Sequence, residues 1–270
     1  MNIKTFSKQE LIIAIKGISE RGWHKSVKVT CSNRNDGAVG NTLENLLGIS
    51  ENNLPIPNAS EWELKGQRKN TSSLITFKHS EPSPRACKFV PQILLPFYGW
   101  KHKQAGKIYP ESEMSFRSTT YGSRFNKRGF KIFVDHSEKK IRFIFNPDEA
   151  DKTKLDIKTW LNQVNERIGL NPLDPEPYWG FDDLRNVIGF KMKNCFYVIA
   201  DSKIENNHEY FKYDNLFILS GFSFGKFLIA IEQGYALVDF DARTGHNHGT
   251  KFRLKQGFFT KIYDNVERIL

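Results

Sequence analysis

The chain has 270 residues and carries 40 Lys and Arg against 30 Asp and Glu, a formal charge of +10 at neutral pH. That length can bury a full core, as one large domain or two lobes. A signal-peptide pattern and an apolar run of about 18 residues are both missing, which excludes a membrane-spanning class and reads as a soluble intracellular protein.

Three scattered cysteines, Cys31, Cys87 and Cys195, form no C-x-x-C or Cys/His cluster, so they argue against a zinc site and a disulfide scaffold and read as ordinary buried thiols. The basic residues are spread along the chain rather than gathered in a tail. That distribution favours a folded basic cleft over a basic arm, with nucleic acid among the partners it suits.

In chain order, Ser7-Lys8-Gln9-Glu10 fits a capping box, and Leu11, Ile12, Ile15 and Ile18 recur at helical spacing before Gly22 ends the element. Residues 31–41 form a polar, glycine-bearing loop. Residues 40–69 then read as a short helix, a turn-rich connection and a strand carrying Glu63-Leu64-Lys65. Side chains alternate along a strand, so Glu63 and Lys65 share one face while Leu64 points into the core.

A carboxylate beside an ammonium suits metal-assisted phosphodiester hydrolysis. The first can hold a divalent cation; the second can stabilise charge on the phosphate and help position or deprotonate the attacking water. Glu-x-Lys pairs also occur on many solvated edge strands, so the pair alone is a weak signal. Glu44 lies upstream on the helical piece. Asn58, after Ile56-Pro57, occupies the place where such a site needs a second acidic ligand.

Residues 66–73 read as a turn into a strand at 74–77, which places Arg68 and Lys69 either on phosphates or in solvent. Glu81-Pro82-Ser83-Pro84 breaks structure. Phe97-Tyr98-Gly99-Trp100 is assigned to the core, and residues 115–120 to a strand edge with one cation, Arg117. Residues 130–134 and 141–145 alternate as a hairpin, and 153–168 form an amphipathic helix. The proline-rich run 171–178 is the clearest break and is taken as the lobe boundary, giving 1–170 and 171–270.

Beyond it come a helix start at 179–184 and a buried strand at 194–200, preceded by Lys191 and Lys193. A helix at 223–233 capped by Ser223 and a strand at 236–240 follow. Residues 241–253 read as a Gly-flanked loop running into a strand. Arginine can read guanine bidentately in the major groove, and Arg243, His246, His248, Lys251 and Arg253 supply such donors. A metal site at His246 and His248 is the rival, ranked lower because no third ligand is near and three cations would repel the ion.

Several of these segments resemble the PD-(D/E)xK nucleases, and more closely the type II restriction endonucleases of the MvaI and BcnI type, relatives of MutH. The matching residues are Asn35-Asp36-Gly37, Gly40 to Glu44, Leu46 to Ile49, Glu51-Asn52-Asn53, Pro57-Asn58, Glu63-Leu64-Lys65, the 115–120 segment and the run from His246 to Arg253. The resemblance spans residues 33–255 and is weak around 80–110 and 147–175.

It implies an α/β fold with a restriction-endonuclease-like mixed β-sheet flanked by helices. A catalytic lobe (1–170) and a recognition lobe (171–270) would form a cleft around double-stranded DNA. It also implies a Mg²⁺-dependent, sequence-specific double-strand endonuclease of the bacterial cytoplasm. Such an enzyme acts as a monomer on a short CC/GG-flanked site, alongside a cognate DNA methyltransferase that is not a stable subunit. In that scheme an acid at 58 and Glu63 bind Mg²⁺, Lys65 assists the water, and Glu44 supports a second cation or orients a lysine. Arg68, Lys69, Arg117 and Lys193 contact phosphates.

The departure is Asn58, where the family pattern has aspartate. Asparagine is neutral and offers one weak carbonyl oxygen, so the site is expected to be impaired, and an inactivating substitution is the favoured explanation. Two other readings stay open: a MutH-like mismatch-repair nicking enzyme that needs an activating partner, and a DNA-binding protein that has lost catalysis.

Overall fold

The structure is a computed structural model describing residues 6–28, 35–49, 57, 59 and 61–270. The first helix, α1 (Lys8–Glu20), begins with the expected capping box: the Ser7 hydroxyl accepts from the Glu10 amide, and the Glu10 carboxylate accepts from the Ser7 amide. Leu11, Ile15 and Ile18 are buried, and the chain turns away through Gly22 at φ +78°. After β1 (His24–Lys25), α2 (Ala38–Leu47) is stopped by Gly48 in the left-handed conformation.

The strand β2 (Glu63–Arg68) runs three residues further than the sequence reading allowed, with the turn confined to 69–73. β3 (Leu74–His79) follows, then a wide helical turn over Val90–Leu94 continuing into α3 (Leu95–Tyr98). β4 (Trp100–Lys101) and β5 (Met114–Tyr121) precede the hairpin of β6 (Arg128–Asp135) and β7 (Lys140–Ala150). The helix α4 (Leu155–Ile168) buries Ile157, Trp160, Leu161 and Val164 but leaves Leu155 exposed at its start.

Next come β8 (Tyr178–Gly180), α5 (Phe181–Met192), β9 (Asn194–Glu205) and the long β10 (His208–Phe222). The last elements are α6 (Phe224–Glu232), β11 (Ala236–Arg243), β12 (His246–Lys255) and β13 (Tyr263–Arg268). No helix among the described residues is long and apolar enough to cross a membrane.

The strands form three sheets: β1-β10-β9-β2 with β13 also on β10, then β3-β12-β11-β5-β4, and β6-β7-β8. In the first sheet β2 is an edge strand paired parallel to β9, while the other pairings are antiparallel. This is the mixed α/β architecture expected.

The chain divides into two compact units, one made of Met1–Ile75, Arg185–Lys226 and Lys255–Leu270, the other of Thr76–Leu184 and Phe227–Leu254. The division therefore does not follow a single cut near residue 171. The proline-rich run lies inside the second unit, where Leu173 is buried and Tyr178 pairs with Arg142 and bridges Ser83. Prolines there end regular hydrogen bonding without ending the packed core.

In the first unit, α1, α2, Trp62 and Leu64 pack with Phe196, Val198, Phe211, Tyr213 and Leu216 around one apolar core. α2 approaches β2 backbone to backbone: a methyl group on Gly66 would sit 3.0 Å from Gly40 Cα. Two glycines facing each other allow that approach.

Candidate active site

Alternation along β2 decides what each of its residues meets. Leu64, Gly66 and Arg68 turn toward α1 and α2, whereas Glu63, Lys65 and Gln67 turn to the other face. Glu63 and Lys65 do meet: Lys65 Nζ is 2.7 Å from Glu63 Oε1.

Glu63 is only 1 % exposed, an expensive place for a carboxylate. Two ammonium groups offset that cost, because Lys191 Nζ, from the last turn of α5, lies 3.5 Å from the same Oε1. The other oxygen, Glu63 Oε2, is buried with no hydrogen-bond partner among the described residues.

Below this pair the parallel register places Cys195 opposite Glu63 and Tyr197 opposite Lys65. The Tyr197 hydroxyl donates to Gln67 Oε1 at 3.0 Å, and its ring packs edge-on against Phe259, which in turn meets Tyr263. This aromatic floor keeps water from beneath Glu63. Burial pushes the Cys195 thiol up, and the Glu63 charge adds to the shift, so the thiol stays protonated and unreactive. Burial likewise raises the Tyr263 phenol.

For Lys65, burial acts to lower the pKa but is outweighed by attraction and hydrogen bonding to Glu63, with smaller help from Cys195 and Glu44. The net shift is upward, so Lys65 is an ammonium ion at neutral pH. Glu44, half-buried on α2, lines a cavity of about 480 Å³ with Lys28 and Asn41. Asn58 lies outside the described residues. Among the described residues no group of three or more His, Cys, Asp or Glu is arranged to hold a metal ion. Glu63 Oε2 is nevertheless the kind of buried, unsatisfied anionic oxygen that a divalent cation would complete.

The residues read from the sequence as DNA contacts separate into three kinds. Arg68 is 2 % exposed and fully engaged. Its guanidinium donates to both Glu209 oxygens (2.7 and 2.6 Å) and to the carbonyls of Asn35 (2.9 Å) and Asp36 (3.3 Å), and it lies over the Phe211 ring. A phosphate role for Arg68 is therefore corrected to a structural one: it ties the chain ahead of α2 to β2 and β10. Its neighbour Lys69 is exposed and loosely paired with Asp201 at 3.4 Å, and Lys193 is exposed.

The third kind stands on one polar face of the sheet β3-β12-β11-β5-β4. Phe116, Phe240 and Phe252 are buried on its other face. Arg117 pairs with Asp241 (2.9 Å), Arg253 with Asp239 (2.8 Å) and Arg243 with Glu113 (3.0 Å), while Lys251 lies 3.8 Å from Asp241.

The stretch read as a Gly-flanked loop running into a strand at 241–253 has the strand but a shorter turn: it is a hairpin in which Arg243 pairs with His246 across Thr244-Gly245. A bulge between Phe240 and Ala242 has its extra residue in β12, near Gly249 at φ +82°. It brings the exposed His246 and His248 rings to 4.2 Å, edge to face. Glu81 pins this bulge by accepting from the Thr250 amide and hydroxyl.

Lys191, Cys195 and Tyr263 were not picked out as site residues. The signal for Lys191 and Cys195 is their position at the head of a strongly apolar strand. Only the β2–β9 pairing, across 132 residues of sequence, brings that head beside Glu63.

The chain matches known proteins both in sequence pattern and in fold. The pattern of the MvaI/BcnI restriction endonuclease family matches residues 12–263. Among solved structures, restriction endonuclease MvaI in complex with its cognate DNA substrate is similar over 98 % of this chain and 100 % of that one, with a TM-score of 0.75 and 24 % identity. The same endonuclease without DNA covers 99 % and 100 %, with a TM-score of 0.53 and 25 % identity. No curated protein sequence matches the chain.

Proposed function

The chain belongs to the MvaI/BcnI restriction endonuclease family, and from that premise we propose that Glu63 and Lys65, with an acid expected at position 58, form its hydrolytic centre. The family makes it a type II, sequence-specific DNA endonuclease, and enzymes of this kind generally use a divalent metal. The observation that carries the site is Glu63 itself: a buried carboxylate with one oxygen held by two lysines and the other unsatisfied.

Glu63 through Oε2, and the residue at 58, would hold Mg²⁺. Bound there, the ion supplies Lewis acidity and lowers the pKa of a coordinated water. Lys65, cationic at neutral pH, donates a hydrogen bond and positive charge toward the phosphate or the attacking water. Lys191 keeps Glu63 Oε1 engaged when Lys65 turns away. Glu44 supports a second cation or orients a lysine, as the family resemblance implies.

Base reading falls to the hairpin of β11 and β12, with Arg243, His246, His248, Lys251 and Arg253 as donors. Lys69, Arg117 and Lys193 contact phosphates. The substrate is a short CC/GG-flanked duplex site, cut by a monomer whose host protects the site with a DNA methyltransferase in the bacterial cytoplasm.

The deciding experiment compares this chain with its Asn58→Asp form in single-turnover cleavage with Mg²⁺, and in DNA binding with Ca²⁺. The expected result is similar binding by both and discrete-fragment cleavage faster by orders of magnitude in Asn58→Asp. Equal rates would move the second acidic ligand away from position 58. Nicks that require a partner protein would favour the repair reading, and inert DNA with both forms would leave binding alone.

A further inference from the structure

Within the second unit, β4, β5 and the turn after β5 enclose a cavity of about 360 Å³ whose lining includes Arg124, Lys127 and Arg128 and three aromatic rings, Trp100, Tyr121 and Phe125. Arg117, at its margin, is already paired with Asp241. Arg124, Lys127 and Arg128 differ: among the described residues no carboxylate comes within ion-pair distance of any of them.

Arg128 is the most telling. Its guanidinium carbon lies 4.0 Å from the Trp100 ring and 5.3 Å from the Trp160 ring, and its Nε is buried without a hydrogen-bond partner. Desolvation there acts to lower its pKa, opposed only by the more distant charge of Asp156. A guanidinium taken out of water with no carboxylate partner is costly unless an anion completes it.

The turn holding these cations is pinned by the hydrogen bonds of Asn126. Asn126 donates to Ser118 Oγ and the Thr119 carbonyl, and its side-chain oxygen accepts from the amides of Arg128 and Phe130. Each ring of the cavity is itself capped by a cation: Arg124 over Tyr121 at 4.5 Å, Arg128 over Trp100, and Lys131 over Phe125 at 5.3 Å. The rings are thus spent holding cations in place, rather than offering themselves to a nucleobase.

We infer that this cavity is a preformed phosphate pocket, in which Arg124, Lys127 and Arg128 grip the sugar–phosphate backbone of bound duplex DNA irrespective of sequence. The inference rests on the reading of the chain as a DNA endonuclease. It adds a backbone anchor on residues separate from the base-reading hairpin. Each phosphate neutralised steepens the salt dependence of binding, adding about 0.9 to the magnitude of its exponent.

The test uses the full chain carrying Arg124→Ala and Lys127→Ala, both at exposed positions, and a second variant, Arg128→Gln, with thermal unfolding as the check on folding. Fluorescence anisotropy follows binding to a CC/GG-site duplex and to a random duplex of equal length across a salt series in Ca²⁺. The double variant should lose about tenfold in affinity on both duplexes, with the salt exponent smaller by about 2. Arg128→Gln should lose affinity on both as well.

Unchanged duplex affinity and exponent in both variants, with no adenosine monophosphate (AMP) binding that the double variant loses, would overturn the pocket, and a loss confined to the cognate duplex would overturn the backbone assignment in favour of base contacts. Adenosine monophosphate is the probe for the other source of phosphate. Saturable AMP binding lost in the double variant, with duplex binding intact, would keep the phosphate pocket but overturn the duplex backbone as its occupant. If the unsubstituted chain binds neither duplex, the endonuclease reading itself has failed, an outcome distinct from all of these.

Discussion

The two ends of β2 each carry a buried ion pair, and they differ in what they leave unfinished. At Arg68 the guanidinium and both Glu209 oxygens are matched donor to acceptor, with two backbone carbonyls taking two more of its hydrogens. At Glu63, two lysines crowd one oxygen, and the second has no hydrogen-bond partner among the described residues. A saturated buried pair holds a fold together; an unsaturated one has an acceptor left over that a further ligand can satisfy. Burial alone would not have separated them, since both acids are nearly inaccessible.

The largest effect that would break this contrast is on stability. Arg68→Met should cost about 3–5 kcal/mol, because it strands the Glu209 charge in the core. Adding Glu209→Leu to the same chain should recover most of that loss. Chemical denaturation reads both, and a single substitution costing less than about 1 kcal/mol would mean the pair holds little together.

The opposite signature belongs to Lys65. In the Asn58→Asp background, Lys65→Met should slow single-turnover cleavage by about 10²–10³. It should destabilise less than Arg68→Met, because Lys191 still faces Glu63. The pH dependence has a definite sign. The folded pKa of Lys65 is raised, so its charge stabilises the fold fully below the unfolded lysine pKa of about 10.4 and is lost as pH rises through the higher folded value. The stability gap between parent and variant should therefore be constant from pH 6 to 9 and close only above that range.

A smaller effect tests the polar sheet face. Arg253→Ala should cost about 1–3 kcal/mol on the cognate duplex and much less on random DNA. Equal losses on the two would make Arg253, held by Asp239, a phosphate contact instead.

Much of this was readable from residue order. The capping box at Ser7, the Glu63/Lys65 face, the 130–145 hairpin and the alternation of Phe240 and Phe252 with Arg243 and Arg253 are local patterns, and local periodicity carries them. Arg68 was legible too, and was lost for a definite reason. It shares parity with Leu64, the core-facing residue. Reading 66–68 as turn discarded the alternation that assigns it inward.

The division into units and the arrival of Lys191 beside Glu63 were not legible. They depend on strands paired across more than a hundred residues, where the sequence holds no local signal. Asn58 belongs to neither group: its importance rests on the family pattern.

Lys69 provides the finest test, because it adjoins Arg68, bears the same formal charge, and should behave in the opposite way. Its ammonium is half exposed and shares a 3.4 Å contact with a partly exposed Asp201, a geometry that water and salt screen strongly. Lys69→Ala should therefore shift stability by no more than about 0.5 kcal/mol. The proposed phosphate contact asks little of it: a charge that gives up little on leaving Asp201 can transfer to a stronger anion. Binding of both cognate and random duplex should weaken alike, and the salt exponent should fall by about 1. A stability loss approaching that of Arg68→Met would place Lys69 among the structural charges. An unchanged salt exponent would leave it in solvent.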